Sequence, residues 1–148
     1  MEKAYRDYGH DMDNTDSILE CGLGFTCDFE KSEGFVGMEH VLSQKEEAKI
    51  NGGLKRRMAQ ILLKDPDKFL HHGEILWRNG ERVSEIRSAS YGHYLGGAVG
   101  LSMLESEQPI NKEFIDKGEW EVEVDNTKIP CKLSFAPLYD RKNERIKV

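Results

Sequence analysis

Glu119-Trp-Glu-Val-Glu-Val-Asp-Asn-Thr-Lys-Ile-Pro-Cys-Lys-Leu-Ser-Phe135 reads as two strands and the turn between them. Apolar and polar residues alternate on both sides of Asp125-Asn126, the period of a strand with one face buried. A two-residue turn at Asp125-Asn126 sets Val122 opposite Ile129 and Trp120 opposite Cys131. The same register sets Glu123 against Lys128 and Glu119 against Lys132. Apolar pairs then share one face and ion pairs the other, and a one-residue slip would destroy both. Pro130 falls on the polar face and has no N–H to donate, which predicts an edge strand or a bulge.

A second hairpin lies upstream. Asn79-Gly80 supplies two residues that tolerate positive φ, and places Arg78 opposite Glu81, Trp77 opposite Arg82 and Leu76 opposite Val83. Val99, Leu101 and Met103 alternate with Gly100 and Ser102 in a further strand, and residues 58–63 form another. Between strands, Ser88-Ala-Ser-Tyr-Gly-His-Tyr-Leu-Gly-Gly97 reads as a long loop, glycine-rich and aromatic, of the kind that can line a ligand site. Five or six short strands without a βαβ rhythm predict an α+β, mainly β fold. Residues 54–135 are expected to form a small antiparallel, Greek-key-like barrel or sandwich.

Charge divides the 148 residues. Residues 1–51 hold 5 Lys/Arg against 12 Asp/Glu, and residues 52–148 hold 16 against 15. The change falls at Asn51-Gly52-Gly53, a helix-stop signal. Two parts are therefore expected: residues 1–51, acidic, with a strand over 23–29 and a helix over 35–50, and residues 52–148, the β-structure. Met38, Val41, Leu42 and Ala48 mark the apolar face of that helix. One strand and one helix bury too little to stand alone, and a charge of −7 repels itself, so residues 1–51 are expected to be the less stable part.

The net charge of −6 and pI near 5.4 argue against a nucleic-acid binder. No run approaches the ~20 apolar residues of a membrane span, and without a basic-then-apolar opening no secretory signal is expected. Three cysteines, Cys21, Cys27 and Cys131, are too few and too odd for a disulfide framework and suggest free thiols in a reducing compartment, a bacterial cytoplasm or a mitochondrial matrix. Adjacent His71 and His72 point apart in an extended segment and have no carboxylate or thiol at ligand spacing, so no metal site is expected. Glu20 reads as a carboxylate at a helix start, and Lys55-Arg56-Arg57 as a solvated run that could hold a ligand carboxylate. No catalytic residue is assigned.

Five stretches, in order, resemble one family. Glu2-Lys-Ala-Tyr-Arg-Asp-Tyr-Gly-His-Asp11 resembles its "EKGYR…GHD" stretch, Ile18-Leu-Glu-Cys-Gly-Leu-Gly-Phe25 its "PLEAGLGF", and Gly34-Phe-Val-Gly-Met-Glu39 its "FIGRE". Ser90-Tyr-Gly-His93 with Gly96 resembles its "GYGH…G" loop, and Pro137-Leu-Tyr-Asp140 with Arg145 its "PLYD…R" ending. Together they are similar to the C-terminal region of the aminomethyltransferase (glycine-cleavage T-protein) family. They look most like the copy at the C-terminus of dimethylglycine and sarcosine dehydrogenases. The chain departs from the pattern at Ile18 for Pro, Cys21 for Ala, and Gly97 where Lys is common.

The resemblance implies a part in a folate domain. In the fused dehydrogenases an FAD domain oxidises an N-methyl amine, and a three-lobed domain holds the tetrahydrofolate that captures the one-carbon unit. The family's catalytic aspartate and main pterin-binding carboxylate belong to earlier lobes. The implied partners are therefore those lobes and the flavin domain of the same parent chain, with residues 1–51 the tail of the preceding lobe and residues 52–148 the C-terminal barrel. This segment alone is expected to be inactive. The resemblance leaves Tyr91 and Arg57 as the residues to contact folate, Tyr91 against its aromatic middle and Arg57 at a carboxylate of its tail. Two other roles are compatible with the resemblance: a regulatory relative of the pyruvate dehydrogenase phosphatase type, and an aminomethyltransferase of the glycine cleavage system.

Overall fold

A computed structural model describes residues 1–147. Seven strand segments follow an N-terminal arm and a helix: α1 (Met38–Asn51), β1 (Leu54–Leu63), β2 (Ile75–Arg78), β3 (Glu81–Glu85), β4 (Ser88–Gly92), β5 (Gly97–Ile110), α2 (Lys112–Asp116), β6 (Trp120–Val124) and β7 (Thr127–Ser134). All strand pairs are antiparallel, in the order β3-β2-β6-β7-β1-β5-β4. The first and last members of that order are consecutive in the chain, separated only by Ile86 and Arg87. The Ile86 N–H still bonds to Glu74 O on the β2 side, while the Arg87 N–H already bonds to Leu101 O on β5 (both 2.8 Å). β3 and β4 are thus two halves of one bent strand, and the sheet closes into a barrel of six positions.

The hairpin readings fare well where they are local. Asp125 and Asn126 both have positive φ (50° and 58°), as do Asn79 and Gly80 (52° and 82°), the backbone of the two-residue hairpin turn. Val122 pairs with Ile129 and Glu123 with Lys128 as the alternation requires. Leu76 pairs with Ser84, not Val83, because a bulge between Leu76 and Trp77 adds one residue to β3. That extra residue lies on the strand that bends from β2 across to β5. β7 is not an edge strand, since it pairs with β6 on one side and with β1 on the other. Pro130 is tolerated because it opposes Glu121 at a non-hydrogen-bonded position of the β6–β7 ladder. On the other side it stands just past the β1 ladder, where its carbonyl accepts from the Lys64 N–H (2.9 Å).

Two cores result. Inside the barrel lie Ala59, Ile61 and Leu63 of β1, Leu76, Val122, Ile129 and Leu133, with Phe114 of α2 packed edge-to-face on Trp120. Asn111 caps α2, its Oδ1 accepting from the Phe114 N–H at 3.0 Å. The second core lies on the outer face of β1 and β5, where Met58, Leu101 and Met103 meet Ala4, Cys21, Met12 and Leu23 of the arm. β1 and β5 are therefore buried on both faces. On β5, Leu101 and Met103 point outward to the arm, whereas Ala98, Leu104 and Ile110 belong to the barrel core. Gly100 meets that core closely: a Cβ there would sit 3.1 Å from Ile86 Cγ2.

The expected strand over 23–29 is absent. Gly24–Thr26 is a 3-10 turn between bends, and the arm binds the barrel through side chains and scattered backbone bonds such as Met58 N–H to Glu20 O (2.7 Å). The helix is found, at Met38–Asn51, ending on left-handed Gly52. None of its residues is buried, so the face of Met38, Val41, Leu42 and Ala48 has no core within this chain. Residues 88–92, read as loop, are strand β4. Among the described residues no helix is long and apolar enough to cross a membrane.

Candidate functional site

The arm is fixed at three points. Its outermost residues are held by Gln60, a buried side chain on the outer face of β1. Gln60 Nε2 donates to Met1 O (2.9 Å) and Glu2 O (3.1 Å), and its Oε1 accepts from the Leu138 N–H (2.7 Å). The Glu2 carboxylate accepts from the backbone N–H groups of Tyr94 (2.7 Å) and Leu95 (3.1 Å). The Lys3 ammonium donates to Asp140 O, Asp140 Oδ2 and Asn143 Oδ1. Tyr94 stacks on Tyr139 with ring centroids 4.6 Å apart. The "EKAYR", "YGHY" and "PLYD" stretches, distant in sequence, thus form one clasp.

Further along the arm, Asp16 has a side chain only 1% exposed and lies between two arginines, 2.8 Å from Arg56 Nη2 and 2.8 Å from Arg87 Nη1. Burial alone would raise its carboxyl, but the hydrogen bonds and charges of Arg87 and Arg56 outweigh it and hold Asp16 below the usual carboxylate range. Ser17 and Glu20 cap one another reciprocally, Ser17 N–H to Glu20 Oε2 at 2.8 Å and Glu20 N–H to Ser17 Oγ at 3.1 Å. Glu20 is a structural carboxylate here. All three cysteines are free thiols. Burial pushes Cys131 up to about 12 and raises Cys21 as well, which leaves both unreactive.

Between the clasp, α1 and the end of β7 run two clefts that share Gly22 and Phe25, of about 670 and 370 Å³. The first holds Lys3, Arg6 and Arg141 with Tyr5 and Phe135, and the second Lys45 and Arg57. Five cations and no carboxylate line them, in a chain whose net charge is −6. Phe25 is 83% exposed. Arg57 stacks on the Phe135 ring at 3.8 Å, and burial pulls its guanidinium below its ordinary value. A larger cleft of about 840 Å³ lies beside α1, with Asp16, Asp28, Lys31 and His40 on its wall.

Arg57 and Tyr91 are not brought together. On β5 they pair with Leu104 and Ala98, six residues apart and roughly 20 Å along the strand. Tyr91 joins Phe69 (5.9 Å) and His93 (5.3 Å) in a ring cluster at the far end. His72 faces not His71 but His10, with ring centroids 6.3 Å apart. No group of three metal-ligating side chains exists among the described residues. The residues that sequence reasoning missed are Arg6, Phe25, Phe135 and Gln60. Only Arg6 carries a signal, as one of two basic residues in the first thirty.

A closed antiparallel barrel with a strapped arm and a cationic, aromatic cleft beside it defines a small, mainly β barrel domain. The chain belongs to the glycine cleavage T-protein C-terminal barrel domain family, whose sequence profile matches residues 56–140. It is 35% identical over 146 residues to a 4-methylaminobutanoate oxidase (formaldehyde-forming) of Paenarthrobacter nicotinovorans, covering 99% of this chain and 16% of that protein. It is 28% identical over 149 residues to the mitochondrial sarcosine dehydrogenase of Mus musculus, again covering 99% and 16%. The chain therefore spans about a sixth of the length of these relatives. In fold it matches the crystal structure of glycine cleavage system aminomethyltransferase T from Bartonella henselae with a TM-score of 0.72 at 17% identity, over 95% of this chain and 37% of that one.

Proposed function

We propose that this chain is the folate-domain end of a flavin-dependent dehydrogenase of the dimethylglycine and sarcosine type. In that role it helps enclose a tetrahydrofolate that captures the one-carbon unit from an N-methyl amine. The observation that carries the reading is Arg57 stacked on Phe135, the one lining the smaller and the other the larger of two adjoining clefts that hold cations and aromatic rings but no acid. A flat ring system ending in carboxylates suits that lining. Tetrahydrofolate, when bound, supplies the nitrogens that take up the one-carbon unit. Arg57 would hold its acidic tail, Phe25 and Phe135 would cover its flat part, and Tyr91 would contact ligand only from the opposite rim. The name of one relative, formaldehyde-forming, fits a reactive product worth keeping from bulk water. FAD belongs in this reading to residues outside the chain, which has no glycine-rich dinucleotide turn.

The test uses a polypeptide that carries this domain behind a flavin domain. With tetrahydrofolate present, Arg57→Met should leave the rate of amine oxidation unchanged and raise the free formaldehyde released per amine oxidised. An unchanged partition would contradict the reading. Absence of any amine oxidation in the parent protein would favour the regulatory alternative.

A further inference from the structure

Asn-Gly occurs twice in the chain, at Asn51-Gly52 and at Asn79-Gly80. In each pair the glycine offers a backbone nitrogen with no Cβ beside it to hinder attack on the asparagine side chain. The fold treats the two pairs oppositely. Asn79 is pinned in its hairpin turn: its N–H donates to Glu119 O (2.9 Å), and its Oδ1 accepts from the Glu119 N–H (2.8 Å). Its carboxamide is therefore turned toward β6 and held there.

Asn51 has no such restraint. It is the last residue of α1, its side chain is exposed, and among the described residues that side chain has no hydrogen-bond partner. The Gly52 N–H makes no backbone hydrogen bond of ordinary geometry among the described residues, whereas the Lys117 N–H that ends α2 bonds back to Glu113 O (3.0 Å). Gly52 has φ +79° and open space around the position of a Cβ. Helical backbone keeps the next nitrogen away from an asparagine side chain, so the last turn must open before the two can meet. α1 buries none of its residues, and opening that turn costs little.

We propose that Asn51 is a site of spontaneous deamidation and Asn79 is not. The Gly52 nitrogen attacks Asn51 Cγ, the new N–C bond forms, the Cγ–Nδ2 bond breaks, and the Gly52 proton leaves with the amide nitrogen as ammonia. Water then opens the succinimide, at the side-chain carbonyl to give aspartate or at the main-chain carbonyl to give isoaspartate. One water is consumed, one ammonia is released, and nothing is oxidised or reduced. The new carboxylate stands at the C-terminal end of α1, where the helix dipole opposes it, and four residues after Glu47, a like charge on the same face. Isoaspartate also adds a carbon to the main chain. Gly53 cannot absorb that length, because it packs on β5, where a Cβ would sit 3.1 Å from Ile110 O. The change therefore falls on α1, which carries Lys45 and Ala48 in the wall of the 370 Å³ cleft.

The test is timed incubation of the 148-residue chain at mildly alkaline pH. Trypsin releases residues 50–55 and 79–82 as separate peptides, so mass spectrometry reads the two sites independently, and isoaspartyl methyltransferase labels the isoaspartate. In the folded chain the Asn51 peptide should convert roughly tenfold or more faster than the Asn79 peptide, and the gap should close in urea. Equal rates in the folded chain, or faster conversion at Asn79, would overturn the inference. A gap that persists in urea would assign the difference to sequence neighbours and overturn the structural argument. The rate at Asn51 should rise with pH, because the Gly52 nitrogen must lose its proton to attack, and a flat profile would overturn the ring closure. Asn51→Asp should speed hydrogen exchange along α1 and leave the Val122 and Ile129 amides unchanged. Unaltered exchange along α1 would overturn the effect on the helix.

Discussion

Asp16 shows what a single residue contributes to this fold. It joins the arm to β1 through Arg56 and to the β3–β4 bend through Arg87, with almost no exposed surface. Its carboxyl is held below its ordinary value, so it binds a proton less readily folded than unfolded. The stability it supplies is full above the ordinary carboxylate range, near pH 4, and is lost as pH falls through the folded value. Asp16→Asn should therefore cost about 1–3 kcal/mol at neutral pH, with the gap to the parent chain closing as pH drops below about 4. Urea unfolding at a series of pH values measures this, and a gap that does not change with pH would contradict the pairing. Asn126 offers the opposite sign. It holds φ 58°, where a Cβ is strained, so Asn126→Gly should stabilise the chain by up to about 1 kcal/mol. Loss of stability on that change would mean that the Asn side chain matters more than its backbone.

At the scale of elements, what could be read in the sequence was what depends on near neighbours. The β6–β7 register followed from alternation and one turn, because both partners lie within seventeen residues. β4 was missed because Ser-Ala-Ser-Tyr-Gly has no apolar alternation. Its place is set by pairing with β5 and by the bend at Ile86-Arg87 that closes the barrel. The outward face of β5 was unreadable for the same reason: its apolar residues serve a core whose other half is the arm, some eighty residues earlier. Of the candidate site, Arg57 was legible as a charge at a strand start, whereas Arg6, Phe25 and Phe135 meet only through the clasp. Composition predicts uniform weakness over residues 1–51, but the structure divides them. Arm amides held by the barrel, and the Met58 amide bonded to Glu20, should exchange slowly, whereas α1, with no buried residue, should exchange fast. Hydrogen exchange resolved by residue decides it, and slow exchange along α1 in the isolated chain would contradict the split.

In the whole molecule, charge and shape divide the labour. Several acids of the arm turn inward, Asp16 to Arg56 and Arg87, Asp11 to Ser88 and Glu2 to the Tyr94 and Leu95 amides, while five cations line the two clefts beside Phe25 and Phe135. The clasp of Glu2, Lys3 and Gln60 joins the N-terminal arm to the segment after β7 and thereby brings together the walls of the 670 Å³ cleft. A small domain contributing one wall of a binding site offers few contacts against the freedom a ligand loses. The expected affinity for tetrahydrofolate is therefore millimolar or weaker, roughly 4 kcal/mol or less. Titration of tetrahydrofolate into the 148-residue chain, followed by backbone amide shifts, tests the central claim most directly. The account predicts weak, saturable shifts around Phe25, Arg57 and Phe135 that vanish in Arg57→Met. Shifts confined to the Tyr91 end of the barrel, or none up to the solubility limit, would contradict it.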